Sequence, residues 1–251
     1  MVKSMKAIVL AAGKGKRLLS EECHIPKGMR LVCGKPLLGY VTETINFIDT
    51  KDIHIVVGFE KEKIIEAFKD KGYQFSVQDK MLGTGHAVEC AYPALKDYDG
   101  ELIVICGDTP LIQQSTILAM VEQHKKNKNS CTVLSCMGEK GLALGRMVHD
   151  ENGKLCGIVE NKDCTPEQLE ICEYNAATYV FDAKALFAAL KKVGYNNKQG
   201  EKYLTDVPMI MIEEGLNVES YASKNSYEIM GVNTPDDLAE AEKLVKELKK
   251  V

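Results

Sequence analysis

Leu10-Ala11-Ala12-Gly13-Lys14-Gly15-Lys16-Arg17 brings two kinds of group to one place: main-chain amides at small residues, and three positive charges. Small residues leave the backbone open to a ligand, and bare amides with nearby cations make a phosphate cradle. Neither common phosphate template fits. A Walker A loop ends Gly-Lys-Ser/Thr so that a hydroxyl can hold magnesium, whereas Gly15-Lys16 is followed by Arg17. A dinucleotide fingerprint needs a third glycine where Leu18 stands. The stretch alone fits a Gly-rich turn with solvated lysines equally well.

Asp108 follows the apolar run Leu102–Cys106, so its carboxylate stands at the end of a predicted strand. An acid beside a polyphosphate is repelled unless a cation lies between, and magnesium held by one or two protein ligands plus phosphate oxygens answers that need. A turn aspartate ahead of Thr109-Pro110 is the plainer alternative. Gln78 and Leu82–His86 suggest a base pocket, because an amide pairs with a base edge through donor and acceptor, and Gly83 would let the backbone approach the ring. An amide can flip, so Gln78 by itself does not separate uracil from cytosine. The five histidines show no metal-ligand spacing and read as surface or helix-capping residues. No Gly-x-Ser-x-Gly elbow occurs and no cysteine has an identifiable base partner, which argues against covalent catalysis.

These residues need strands and helices to position them. Ala7–Leu10 reads as a buried parallel strand, and Ile53–Val57, Tyr73–Val77, Leu102–Cys106 and Cys131–Cys136 repeat the pattern. Helical spacing separates them at Leu37–Phe47, after Glu60, at His86–Leu95 and at Thr116–His124. Repeated β-α-β units predict an α/β fold, a mostly parallel sheet with helices on both faces. After Gly145, Asn152-Gly153 between two apolar runs predicts a hairpin, followed by a strand at Thr178–Phe181, helices at Ala183–Lys192 and Leu204–Glu214, and a late strand at Asn217–Tyr221. Thr234 as N-cap, Pro235 and the acids Asp236 and Asp237 open a terminal helix. Its stripe of Leu238, Ala241, Leu244, Val245 and Leu248 either covers the body or pairs two chains into a homo-oligomer.

The chain has 251 residues and a net charge of -4, which opposes a general nucleic-acid binder. Nine scattered cysteines without a C-x-x-C pair read as reduced thiols in a cytoplasmic setting. No apolar run reaches membrane-spanning length, and Met1–Lys6 is expected to enter the first strand directly, with neither leader nor anchor.

The phosphate loop, Pro26-Lys27, Gly34–Leu37, Leu82–Val88 and Gly107–Leu111 together resemble the sugar-nucleotide pyrophosphorylases. Leu144–Thr165, Glu173–Asn175, Gly200–Val207 and Gly231–Asn233 resemble, more narrowly, the uridyltransferase domain of the bifunctional N-acetylglucosamine-1-phosphate uridyltransferases, in order from Met5 to about Asn233. The resemblance implies a Rossmann-like nucleotidyltransferase fold over 1–233, with a nucleotide half at 1–113, a sugar half at 114–233, and a C-terminal helix at 234–251. It implies reaction of UTP with N-acetylglucosamine 1-phosphate, assisted by Mg2+. Leu10, Ala11, Ala12, Gly13, Gly83 and Thr84 would hold the nucleotide, with Gln78 on the uracil. Arg17 and Lys27 would neutralise phosphate charge as the catalytic pair, Asp108 and Asn233 would bind the metal, and Gly145, Glu160 and Asn175 the sugar. Lys16 stands where the family usually has threonine, Cys106 and Leu144 where close relatives carry tyrosines, and Ala176 where threonine is usual. A related pyrophosphorylase for another sugar phosphate or NTP, or a non-catalytic sugar-nucleotide-binding module, are the competing expectations. No left-handed β-helix is expected in this length of chain.

Overall fold

The structure is a computed structural model and describes residues 5–248. The expectation about residues 1–4 and the last three positions of the terminal helix lie outside the described residues. Strand β1 (Lys6–Ala11) alternates Ile8 to one face of the sheet and Ala7 and Val9 to the other, all fully buried. A strand covered on both faces has to be apolar along its covered length, and this one is from Ala7 to Ala11. A short helix α1 (Ser20–Cys23) and the small ladder of β2 (Leu31–Val32) with β3 (Lys35–Pro36) lead to α2 (Leu37–Thr44). The first half continues through β4 (Ile53–Val57), α3 (Lys61–Phe68), β5 (Gln74–Val77), α4 (Thr84–Cys90), α5 (Tyr92–Leu95) and β6 (Glu101–Cys106).

The second half runs through α6 (Gln114–Asn127), β7 (Cys131–Met137), the hairpin of β8 (Arg146–His149) and β9 (Leu155–Val159), and β10 (Glu173–Asp182). It ends with α7 (Ala183–Leu190), α8 (Asp206–Glu213), β11 (Val218–Ser223) and α9 (Pro235–Leu248).

Along the sheet the order is β11-β7-β10-β6-β1-β4-β5. β1 lies parallel between β4 and β6, β4 is parallel to β5, and β7 to β11. Only β10, antiparallel to both β6 and β7, and the β8–β9 hairpin beside it interrupt a mostly parallel sheet. The chain leaves β1 toward β4 and β5, then crosses back to place β6 on the opposite side. That reversal opens a crevice at the carboxyl ends of β1 and β6, where open α/β sheets hold ligands.

Helices cover both faces. One core joins Ile8, Val56 and Val104 to Val88, Leu95 and Leu186, and the other joins Val9, Ile55 and Ile105 to Leu38, Ile117 and Met120. Each such fully buried aliphatic contributes roughly 1.5–3 kcal/mol. A third cluster lies under α9, whose Ala241 and Val245 are buried beside Leu18, Val32, Leu37 and Leu111. The middle of the predicted stripe therefore covers the body, while Leu248 stays 37% exposed. Thr234 caps this helix as expected: its hydroxyl accepts from the Asp237 amide at 3.1 Å, and the Asp237 carboxylate accepts from the Asn233 and Thr234 amides at 2.8 Å each.

Several expectations are corrected. The helix predicted over His86–Leu95 begins at Thr84 and divides before Tyr92-Pro93, because proline has no N–H to continue the ladder. The helix predicted over Leu37–Phe47 ends at Thr44. Strand β10 starts at Glu173, five residues earlier than expected, by continuing across a bulge where Ala177 has φ 49°. His54 and His124 are buried, not surface residues, and burial lowers the pKa of both. Among the described residues no left-handed β-helix occurs and no helix is long and apolar enough to cross a membrane.

Candidate active site

The crevice is a cleft of about 1040 Å³, at the upper end of ligand-site volumes. Its floor is where the end of β1 abuts the loop after β6: the Gly107 amide donates to Leu10 O at 2.9 Å, and a Cβ on Gly107 would lie 3.1 Å from that same oxygen. Leu10, Ala11, Ala12 and Gly13 line this wall, with Lys14, Gly15 and Lys16 above them. Gly15 takes φ 59°, the left-handed turn that starts the helical turn Lys16–Leu18. Leu18 turns into the cluster beneath α9, whereas Arg17 is exposed and is not among the residues lining the cleft. The cation of this turn that lines the cleft is Lys16.

Lys27 enters from the turn after Pro26. Its ammonium pairs with the Asp108 carboxylate and donates to Asn233 Oδ1 at 2.7 Å, so three residues from distant parts of the chain meet at one point. One backbone bond joins the two segments, Val232 N donating to Asp108 O at 2.9 Å, and the Asn233 side chain is fixed locally by Nδ2 donating to Gly231 O at 3.1 Å. The α9 cap completes the restraint on Asn233. A carboxylate oxygen and an amide oxygen close enough to share one ammonium are hard donors converging on one cationic position, a set that fits magnesium. Among the described residues no cluster of three or more His, Cys, Asp or Glu side chains could hold a metal.

Gln78 and Gly83-Thr84 form the opposite wall. Gln78 is 3% exposed, and its Nε2 lies 3.0 Å from both Gly83 O and His86 Nδ1. Gly83 has φ 109°, and a Cβ there would lie 2.5 Å from Lys202 O. The glycine is thus needed for Lys202 to pass, not only for a ring to approach. A seam follows from it: Gly85 N donates to Lys202 O, Lys202 N to Leu82 O, and Leu204 N to Thr84 Oγ1, at 2.8, 2.7 and 3.0 Å. The Lys202 ammonium reaches both Glu89 oxygens at 3.0 Å.

Gly145, Glu160 and Asn175 do not line the cleft itself. The Asn175 amide donates to Gly145 O at 2.9 Å. Asn175 Nδ2 donates to Tyr179 Oη at 2.7 Å and its Oδ1 accepts from Ala177 N at 3.0 Å, so its side chain holds the β10 bulge. Glu160 accepts from the Thr205 hydroxyl at 3.0 Å. Burial raises the Glu160 pKa, the Thr205 hydroxyl opposes this, and nearby Asp163, Asp206 and Glu201 add to the rise. Cys106 connects the two regions: it lines the cleft, and burial first, then the charge of Asp108, pushes its thiol up.

Sequence reasoning missed Lys162, Gln199 and Glu201, which also line the cleft, with Lys162 Nζ donating to Gln199 Oε1 at 2.6 Å. The loop after β9 was the available signal, since Lys162 lies three residues past that strand. All nine cysteines are free.

A glycine-rich loop, a lysine and a carboxylate at the switch point of an open, mostly parallel sheet define an α/β protein of the nucleotide-binding kind. The chain belongs to the nucleotidyl transferase family, whose profile matches residues 6–247. It is 42% identical over 240 residues to the "Bifunctional protein GlmU" of Clostridium novyi (strain NT), covering 96% of this chain and 52% of that protein. Similarity to the GlmU of Clostridium acetobutylicum (strain ATCC 824) is 38% over 239 residues, with 95% and 52% covered. The chain therefore spans about half the length of the curated relatives it matches. A crystal structure of a putative glucose-1-phosphate thymidylyltransferase from Bacillus anthracis, in complex with a sucrose, shares the fold with a TM-score of 0.79 at 21% identity, covering 97% of this chain and 96% of that one.

Proposed function

We propose that the chain makes UDP-N-acetylglucosamine and pyrophosphate from UTP and N-acetylglucosamine 1-phosphate. The observation that carries the reading is the meeting of Lys27, Asp108 and Asn233 beside the Leu10–Gly13 amides. The similarity to GlmU proteins over nearly the whole chain supports the sugar nucleotide named. The nucleotide end would be 1–113 and the sugar end 114–233.

In this reading the triphosphate lies along Leu10–Gly13, where backbone amides donate to its oxygens. The base sits between Gln78 and Gly83-Thr84. Asp108 and Asn233 would hold Mg2+, which supplies neutralisation of phosphate charge when bound. Lys27 is displaced from Asp108 and Asn233 onto the phosphates as the substrate enters. For Arg17 the proposal requires its exposed side chain to fold back over the loop when a triphosphate binds. Glu160 accepts from sugar hydroxyls, with Gly145 and Asn175 bounding the ring. A phosphate oxygen of the sugar 1-phosphate attacks the α-phosphorus in line; the new P–O bond forms as the bond to the bridging oxygen of pyrophosphate breaks. Positioning and charge neutralisation supply the rate, with no covalent enzyme intermediate. Free thiols suit the cytoplasmic setting such substrates imply.

Pyrophosphate release measured with each NTP against several sugar 1-phosphates, with and without magnesium, tests the reading. Release with UTP and N-acetylglucosamine 1-phosphate above all other pairs is expected. Release with CTP or dTTP but not UTP overturns the base assignment, and sugar-nucleotide binding without turnover under any pairing overturns the activity.

A further inference from the structure

We infer that His86, which does not line the cleft, is the positioning residue that decides which end of the Gln78 amide meets the base. The inference rests on the base lying against Gln78, as proposed above.

A glutamine amide can present either N–H or C=O, and nothing in its sequence chooses. Here two neighbours choose. Gly83 O, 3.0 Å from Nε2, is a backbone carbonyl and only accepts, so the amide nitrogen must point at it. His86 Nδ1, also 3.0 Å from Nε2, takes the second N–H only if that ring nitrogen is unprotonated. Cys90 Sγ, 3.9 Å from Nδ1, can donate weakly there and is compatible with that state. With the amide N–H directed at Nδ1, the ring carries its proton on Nε2. Both Gln78 N–H groups are then engaged, and the group left for a ligand is Oε1, an acceptor.

An acceptor fixed at this position selects bases whose ring nitrogen bears hydrogen. With the base placed so that its N3 faces Oε1, uracil offers N3–H, whereas cytosine in that pose offers a bare N3, lone pair to lone pair. His86 thereby converts an ambiguous amide into a reader of the N3 proton. Because His86 touches Gln78 and not the cleft, its loss should change the ratio between bases and not the handling of triphosphate.

The test is equilibrium binding of UTP and CTP, with magnesium, to the full chain and to His86→Phe and His86→Asn. The wild type should bind UTP at least about tenfold tighter than CTP, His86→Phe should shrink that ratio about three- to tenfold, the scale of one hydrogen bond, and His86→Asn, which keeps an acceptor, should restore it. An equal loss of affinity for both bases in His86→Phe, or a wild type without preference, overturns the inference. Nitrogen-15 spectra of the histidines supply a check that needs no variant: the neutral His86 ring should carry its proton on Nε2, and the Nδ1-protonated tautomer overturns the inference too. A strong preference for UTP with no pyrophosphate release from any sugar 1-phosphate would support the role of His86 while counting against the proposed activity.

Discussion

At the proposed nucleotide end of the cleft the polar groups are offered outward from loops at strand ends: Lys16 lines the opening, and Lys27 and Asp108 keep 17% and 22% of their side chains exposed. At the proposed sugar end, outside the cleft lining, they are already partnered, half-buried Glu160 by Thr205 and buried Asn175 by Tyr179 and Ala177. The first arrangement suits a charged, strongly hydrated triphosphate, which brings its own counter-charge needs and can exchange partners on entry. The second suits a neutral ring read by shape and by a few fixed hydrogen bonds, because an amide held by a bulge cannot adapt.

Mutation should separate the two ends by kind of effect. Asp108→Asn or Lys27→Ala should lower kcat about 10²- to 10³-fold, the scale of losing one partner for transition-state charge, with the unfolding midpoint almost unchanged. Pyrophosphate release in single-turnover mode measures it, and near-normal turnover in either variant would remove that residue from the mechanism.

Glu228 puts the opposite behaviour to the test. Fully buried, its carboxylate accepts from Gln113 N at 3.1 Å, from Thr116 Oγ1 at 2.8 Å and from Ser223 Oγ, pinning the entry of α6 to the end of β11. Glu228→Ala orphans those donors and should cost roughly 3 kcal/mol in a urea titration. A loss below the error of the titration would mean that water replaces the carboxylate freely. Gly83→Ala tests the seam between the ends. Its φ of 109° and the 2.5 Å approach to Lys202 O should make alanine cost about 1–3 kcal/mol and raise the KM of both substrates together. A rise for the nucleotide alone would show that the seam belongs to the base pocket and not to both ends.

This contrast also governs what could be read from the chain. Strands such as Ile53–Val57 and the hairpin at Asn152-Gly153 were legible because their signal is local: period, β-branching and a turn dipeptide. The loop Leu10–Gly13 and Asp108 could be singled out as candidates for chemistry because they follow apolar runs, whereas Lys27 entered only through the family resemblance. The bulge at Ala177 was not legible, since it depends on Asn175 reaching Ala177 N, and the burial of His54 depends on which strands flank it. Arg17 and Lys16 are adjacent, and only the packing of Leu18 under α9 determines which of them faces the cleft. The orientation of the Gln78 amide likewise needs Gly83 and His86 in place.

The smallest expected effect is the most direct probe of the buried end. Burial holds the Glu160 pKa above its ordinary value, so folding favours the protonated form. Whatever stability that proton contributes is fully present below the unfolded-state pKa, near 4.3, and is lost as pH rises through the folded one. At neutral pH the wild type therefore carries a half-buried carboxylate at a cost that Glu160→Gln avoids, while the glutamine carbonyl can still accept from Thr205. Glu160→Gln should gain in unfolding midpoint relative to wild type at pH 7.5, and the gain should shrink as pH falls toward 4.5. The same variant should raise the KM for the sugar 1-phosphate about tenfold with little change for the nucleotide, the size of one hydrogen bond to a charged acceptor. A midpoint difference independent of pH would place Glu160 in water, and the contrast between an open, charged end and a buried, partnered end would fail where it is most specific.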